Sequence, residues 1–306
     1  MLALELPVLL FFVPLVQPQF SSDFYTFMTT FFENSPYNDT TIASKLIRLD
    51  IATRPGYRGS FGGGNHTAGT STIRQPVILV HGLTNTAGSF YMENQRTMLL
   101  ASGWDESEVY ATTYGALNGI PVAAFDDSMK CDYVQRVRWL IEAVSAYTLQ
   151  KVDIIAYSMG SPITRKSILG GYCADRHYEK LGFPLNHLID TFVSVAGANR
   201  GLFLCNSILA NAFPVCNSVT GLKYSSAFIR DVNSRRHYEG TFVASIYSRQ
   251  DDVVGLQCPN ATSLCSPISG SDDVKVVTGG HFTVIDESLS MVTRLLYHHN
   301  ATIPIL

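Results

Sequence analysis

From Gln75 onward, short β-branched runs alternate with stretches of helical period, and this alternation restricts the chain to few architectures. Val77 to Val80, Val109 to Tyr114, Val152 to Tyr157, Thr191 to Val195, Thr241 to Tyr247 and Val274 to Val277 read as strands. The Val77 and Val152 strands carry continuous apolar runs, the pattern of strands covered on both faces. Val134, Val137, Ile141 and Val144 recur at helical spacing up to about Tyr147. A further helix is expected from about Met159, with Pro162 tolerated in its first turn and Gly170-Gly171 as its stop. Val284 or Ile285, Leu289, Val292 and Leu296 mark a C-terminal helix. No internal repeat or linker divides this block. The pattern predicts an α/β fold, with a mainly parallel sheet carrying helices on both faces in a single domain.

The region before Gln75 has a different texture. Leu6 to Val16 is an apolar run too short to span a bilayer and of the length of a signal-peptide core, although no Lys or Arg precedes Lys45. Residues 1–20 are therefore expected to be a signal peptide, residues 21–74 an N-terminal extension, and residues 75–306 the main domain. The extension holds Phe20, Phe24, Tyr25, Phe27, Phe31 and Phe32, then a glycine-rich stretch, GYRGSFGGGNHTAG. That stretch lacks the Lys of a phosphate loop and a following helix, so it reads as a loop.

Six cysteines stand at 131, 173, 205, 216, 258 and 265, none in a C-x-x-C pair. In an exported chain an even count reads as disulfides rather than as zinc or redox chemistry. Six cysteines allow 15 connectivities. Proximity favours Cys258–Cys265 and Cys205–Cys216, which leaves Cys131–Cys173. Four N-x-Ser/Thr sequons, at Asn38, Asn65, Asn260 and Asn300, point to the same secretory route. A net charge of −3 argues against a basic nucleic-acid face, and no second apolar run remains as a transmembrane segment once the signal is removed.

The chemistry gathers where strands end. Val152 to Gly160 is a strand, a sharp turn carrying Ser158, then a helix, with small residues two positions either side of the serine. This is the context of a nucleophile elbow, in which a bulky neighbour would clash as strand and helix crowd together. The helix N-terminus favours negative charge developing beside it. In the α/β-hydrolase order an acid and then a histidine follow the serine. His281, in Thr278-Gly279-Gly280-His281, follows the last strand and is the candidate base. Asp251 and Asp252 follow the Thr241 strand, and either could orient the imidazole. Backbone N–H groups of Met159, after the serine, and of Leu83, in the loop after the first strand, are the candidate oxyanion-hole donors. His81 reads as structural.

The segments QPVILVHG, KVDIIAYSMG, FVSVAGANRG, SIYSRQDDVV and VVTGGH, in this order, resemble the class 2 lipase family, and most closely its secreted, nematode-type animal branch. The match runs from about Gln75 to His281. The resemblance implies an α/β-hydrolase fold and a catalytic triad of Ser158, Asp251 and His281, because the family's Tyr-Ser-x-x-Asp-x-x-Val pattern falls on Asp251. It also implies Leu83 and Met159 as oxyanion donors, no metal or organic cofactor, and a lipid ester as substrate, met at a lipid–water interface. Ser161, where glycine is common, and insertions after Leu202 and Leu256 depart from the pattern.

The apolar segment from Gly201 to Cys216 reads either as a wall or lid of an acyl site, with residues Gly115 to Phe125 as the opposite wall, or as ordinary core packing under a loop. The leading expectation is a triacylglycerol lipase or lipid esterase. An esterase or thioesterase on a non-lipid acyl group, and a hydrolase-fold binding protein without turnover, are the alternatives.

Overall fold

The computed structural model describes residues 19–52, 58–115, 127–207, 209–258, 264–299 and 302. Of the expected signal peptide, only Gln19 and Phe20 lie within the described residues. The described strands are β1 (Ser60–Phe61), β2 (Val77–Val80), β3 (Val109–Thr112), β4 (Val152–Tyr157), β5 (Gly171–Tyr172), β6 (Lys180–Gly182), β7 (Ile189–Val195), β8 (Phe242–Ser248) and β9 (Asp273–Val277). The helices are α1 (Ser22–Glu33), α2 (Thr41–Ile47), α3 (Leu49–Ala52), α4 (Phe90–Ala101), α5 (Cys131–Thr148), α6 (Gly160–Leu169), α7 (Ala227–Val232) and α8 (His281–His298). Seven strands form one sheet in the order β1-β3-β2-β4-β7-β8-β9, and β5 and β6 form a separate hairpin. Every neighbouring pair in the large sheet is parallel except β1 on β3.

Strand periodicity divides the core in two. Ile78, Val80, Ile154, Ala156, Phe192 and Val243 face one cluster, which also takes residues of α1, α2, α5, α6 and α7. Val77, Leu79, Ile155, Tyr157, Val193, Val195, Ala244 and Ile246 face the other, under α4 and α8. The central strands therefore bury both faces, as their continuous apolar runs require. Helix α6 begins and ends where its Pro162 and Gly170 indicate. Strand β3 is shorter than expected: it ends at Thr112, and Thr113 and Tyr114 lie in the exit loop.

Several helices lie where no helical period was legible. In α4 the buried stripe is Met92, Gln95 and Leu99, so a polar residue interrupts the apolar face. Gln95 is buried because its Oε1 accepts a 2.8 Å bond from the Tyr157 hydroxyl. In α1 the buried stripe is Phe24, Met28 and Phe32, but the partly exposed Tyr25, Phe27 and Phe31 widen the apolar face and blur its period. Ser21 caps α1 by accepting from the Phe24 N–H.

The segment expected as an extension packs into the main core. Phe24 lies edge-on to Tyr110 of β3, 5.2 Å between centroids, and 4.9 Å from Tyr147 of α5. Within the glycine-rich stretch, Ser60 and Phe61 pair with Thr112 and Ala111 as β1. Arg48 donates from Nη1 to the carbonyls of Thr113 and Gly115, 2.7 Å each. Three disulfides, Cys131–Cys173, Cys205–Cys216 and Cys258–Cys265, follow the pairing that proximity favours. Among the described residues no helix is long and apolar enough to cross a membrane.

Asp153 of β4 is a buried carboxyl without a cationic partner among its contacts. Its Oδ1 accepts from the Gln75 side chain at 2.6 Å and from the Thr191 N–H at 2.9 Å. Burial raises its pKa to about 7. The folded state thus holds its proton more tightly than the unfolded chain does. Stability falls as pH rises from about 4 to about 7, then levels. Asp153→Asn keeps the acceptor and removes the titration. Urea unfolding is expected to show the variant more stable than wild type at pH 8, by on the order of 2–4 kcal/mol, and equal to it below pH 4.

Candidate active site

Parallel strands deliver their carboxyl ends to one edge of the sheet, and the candidate residues collect there. Ser158 follows β4 directly and holds a left-handed backbone, with φ of 50°. That conformation is strained for a residue with a side chain. It persists because both backbone groups are held: the Ser158 N–H donates to Val195 O at 3.0 Å, and Ser158 O accepts from the N–H groups of Ser161 and Ala198, each at 3.1 Å. Small neighbours are a geometric necessity. A Cβ on Gly160 would stand 2.3 Å from His81 O and 2.9 Å from Val80 O, both backbone atoms. Ala156 is fully buried at the other side of the turn.

His281 brings its Nε2 to 3.0 Å from Ser158 Oγ and its Nδ1 to 2.8 Å from Asp251 Oδ2. The tautomer that satisfies both contacts carries its proton on Nδ1 and accepts the serine hydroxyl at Nε2. The histidine ring and the Asp251 carboxylate are both buried. The second oxygen of Asp251 accepts from the N–H groups of Val253 and Val254, at 3.0 and 2.8 Å, so the carboxylate is fully engaged. His281 lies in the first turn of α8 rather than in a free loop, with Gly280 as N-cap. Asp252 takes a separate place. It is exposed, and its Oδ1 accepts from the His281 N–H at 2.9 Å, which holds its carboxyl below the ordinary range.

The other candidates sit around this centre. Met159 is buried and Leu83 half-buried; among the described residues neither backbone N–H donates to a protein acceptor. His81 stacks flat on Tyr114, 4.0 Å between centroids. Its Nδ1–H donates to Gly82 O at 2.8 Å, and its Nε2 accepts from the Tyr114 N–H at 3.2 Å. Burial pushes its pKa down to about 4, so the ring is neutral and structural near pH 7. The Gly201–Cys216 segment forms three short 3-10 turns clasped by Cys205–Cys216, while residues 116–126 of the expected opposite wall lie outside the described residues. Cys131, Cys173 and Asp175 have metal-ligand spacing, but the two cysteines are joined as a disulfide.

Two features were not legible as site residues. The loop Ala196 to Asn199 braces the serine turn, although its Gly-Ala-Asn-Arg string stood out in the sequence. A cavity of about 810 Å³, lined in part by Lys166, Tyr172, Lys180, Phe183 and Arg235, lies at the far end of α6 from Ser158. It touches none of Ser158, Asp251 or His281, so it is separate from this centre.

Comparison with solved structures places the chain in the α/β-hydrolase fold. It is similar to Aspergillus fumigatus lipase B, with a TM-score of 0.54 and 17% identity over 78% of this chain and 56% of that one. It is similar to Bacillus licheniformis lipase BlEst2 in its propeptide form, with a TM-score of 0.53 and 12% identity over 82% of this chain and 54% of that one. The chain thus spans about half the length of these two structures. A structure from the work on LipS and LipT, two metagenome-derived lipolytic enzymes, gives a TM-score of 0.52 at 12% identity over 78% of this chain and all of that one. Residues 74–293 match the family described as Lipase (class 2), and the chain belongs to that family. No curated protein sequence matches the chain.

The crowding at the serine turn gives a direct test. Gly160→Ala sets a methyl against two backbone carbonyls, with no flexible side chain to yield. The expected loss is about 1–3 kcal/mol, read as a lower unfolding midpoint in calorimetry.

Proposed function

We propose that the protein is a secreted serine ester hydrolase acting on acylglycerols or other lipid esters, of the kind found in the secreted animal branch of class 2 lipases. The observation that carries this reading is the chain of contacts from Ser158 Oγ through His281 to Asp251, at 3.0 and 2.8 Å. His281 Nε2 takes the Ser158 proton as Oγ attacks the ester carbonyl. Negative charge develops on the carbonyl oxygen against the Leu83 and Met159 N–H groups. Asp251 stabilises the imidazolium that forms. His281 then protonates the leaving alcohol, and an acyl-Ser158 ester remains. Water, deprotonated by the same histidine, releases the acid.

A lipid interface is supported by exposed apolar side chains beside the centre. Phe282 follows His281 and is 54% exposed; Tyr91 stacks on it at 5.8 Å, and Phe90, also exposed, precedes Tyr91. Phe203, 57% exposed, is tied by its N–H to Val254 O, three residues after Asp251. Apolar rims of this kind suit adsorption to lipid. Secretion is supported by the three disulfides and by the exposure of Asn38 and Asn65 in their sequons.

The test is hydrolysis of nitrophenyl esters from acetate to palmitate. Long-chain esters are expected to be cleaved, with Ser158→Ala lower by at least about 10³-fold. Cleavage of acetate and butyrate alone would make the protein a short-chain esterase. Equal rates for wild type and Ser158→Ala would end the enzyme reading. The two neighbouring acids separate cleanly. Asp251→Asn is expected to lower kcat by about 10³–10⁴-fold, and Asp252→Asn, which retains an acceptor for the His281 N–H, by less than about 10-fold.

A further inference from the structure

Asn199 closes a buried hydrogen-bonded ring behind the serine turn. Its Oδ1 accepts from the Ser161 hydroxyl at 2.8 Å, its Nδ2 donates to Ser194 Oγ at 2.8 Å, and the Ser161 and Ser194 hydroxyls lie 2.9 Å apart. A further bond from Nδ2 to Ser266 O, 2.7 Å, ties the ring to the loop beyond the Cys258–Cys265 disulfide. Asn199, Ser161, Ser194 and Ser266 are all buried. The backbone on either side is equally bound. Arg200 N–H donates to Cys265 O at 3.0 Å, and Asn199 O accepts from the Asn233 side chain at 2.8 Å. Gly197 is obligatory over this ring, since a Cβ there would stand 2.2 Å from Ser194 Oγ and 2.5 Å from Asn199 Nδ2. Ala196, just before it, is left-handed with φ of 48°.

This ring meets the reaction through one peptide plane. Ala198, next to Asn199, donates its N–H to Ser158 O. The peptide joining Ser158 to Met159 is planar and trans, so its carbonyl and its N–H point in opposite directions. Holding Ser158 O between the Ala198 and Ser161 N–H groups therefore aims the Met159 N–H. We infer that Asn199 is a positioning residue for the oxyanion hole: it fixes the 196–199 loop so that Ala198 orients the Ser158–Met159 peptide. The inference rests on the reading of Ser158 as nucleophile and the Met159 N–H as oxyanion donor. It accounts for the Gly-Ala-Asn-Arg string residue by residue. Gly197 admits the close approach, Ala198 supplies the amide, Asn199 locks the loop, and the Arg200 backbone joins it to Cys265.

The test compares wild type with Asn199→Ala, Asn199→Asp and Ser194→Ala. Asparagine to aspartate removes the donor and sets an oxygen against Ser266 O. Ser194→Ala is the milder variant, removing one acceptor of Nδ2 and leaving the bond to Ser266. Each protein is first assayed for a cooperative melt and titrated for active sites, so that kcat refers to folded enzyme. The Asn199 variants are expected to lose about 10–100-fold in kcat on a nitrophenyl ester with KM within about threefold, the signature of a misaimed transition-state contact. Ser194→Ala is expected to lose less. The inhibition constant of a trifluoromethyl ketone, which forms an oxyanion on Ser158, rises in each variant by the same factor as kcat/KM falls. A folded Asn199 or Ser194 variant whose kcat falls while the ketone binds as to wild type overturns the inference. So does wild-type kcat in folded Asn199→Ala or Asn199→Asp, and if those two fail to fold, wild-type kcat in Ser194→Ala does so. Activity in wild type that is lost in Ser158→Ala would leave the hydrolase reading standing in those cases; its absence from wild type removes both.

Discussion

A serine forced into left-handed backbone between a buried strand and a buried helix is the constraint on which the rest of the site depends. Such a backbone costs of order 1–3 kcal/mol and has to be over-determined by its surroundings. Here three backbone bonds supply that: one from the Ser158 N–H to β7's last carbonyl and two onto the Ser158 carbonyl. The same turn permits no side chain at Gly160, because α6 starts in contact with the chain leaving β2. In the proposed reaction the strain has a chemical use. It lifts Oγ away from the sheet to meet His281, and the Met159 N–H, just before α6, has no protein acceptor among the described residues.

Rigidity at this centre comes from outside the strands that carry it. Asp251 is held through two backbone N–H groups of its own loop, and Asp252 of the same loop holds the backbone of His281. The Asp251 carboxylate and His281 thereby keep their spacing through two independent bonds. Helices α1 and α2, in the core cluster on the opposite side of the sheet from α4 and α8, lead to Arg48 at the exit of β3, where Thr113 and Gly115 offer it their carbonyls. Tyr114 between them carries His81 on its face, and His81 holds the Gly82 carbonyl. The chain's N-terminal part thus braces the loop that bears Leu83.

Buried polar groups do much of this work, through partners that local sequence does not reveal. Arg165 of α6 is 1% exposed and pairs with Glu239, while also capping the Val232 carbonyl and lying over the Tyr238 ring. Removing one partner would leave a buried charge alone, a change worth several kcal/mol. Gln95 and Tyr157 make the equivalent neutral contact on the other face of the sheet. Such pairs join residues 62 and 74 positions apart, so they bind together elements that strand periodicity alone would leave free to slide.

What the amino-acid order determined by itself was local: strands from β-branched runs, α6 from its proline and glycine punctuation, and Ser158 from a small-residue turn between strand and helix. Each depends on neighbours within one turn or one strand, where steric rules act directly. His281 and the acid loop were legible by their position after the last strands. The choice between Asp251 and Asp252 came from family pattern, because two adjacent carboxylates look alike to any local rule. The tertiary structure separates them physically, turning one into the buried partner of the His281 ring and the other out to its backbone N–H. It also decided that the aromatic N-terminal residues belong to the core, that α4 exists despite Gln95 in its buried stripe, and that Asn199 stands behind the serine turn. In all three the deciding partner lies far along the chain, and a polar or aromatic residue declares its role only when that partner is in contact.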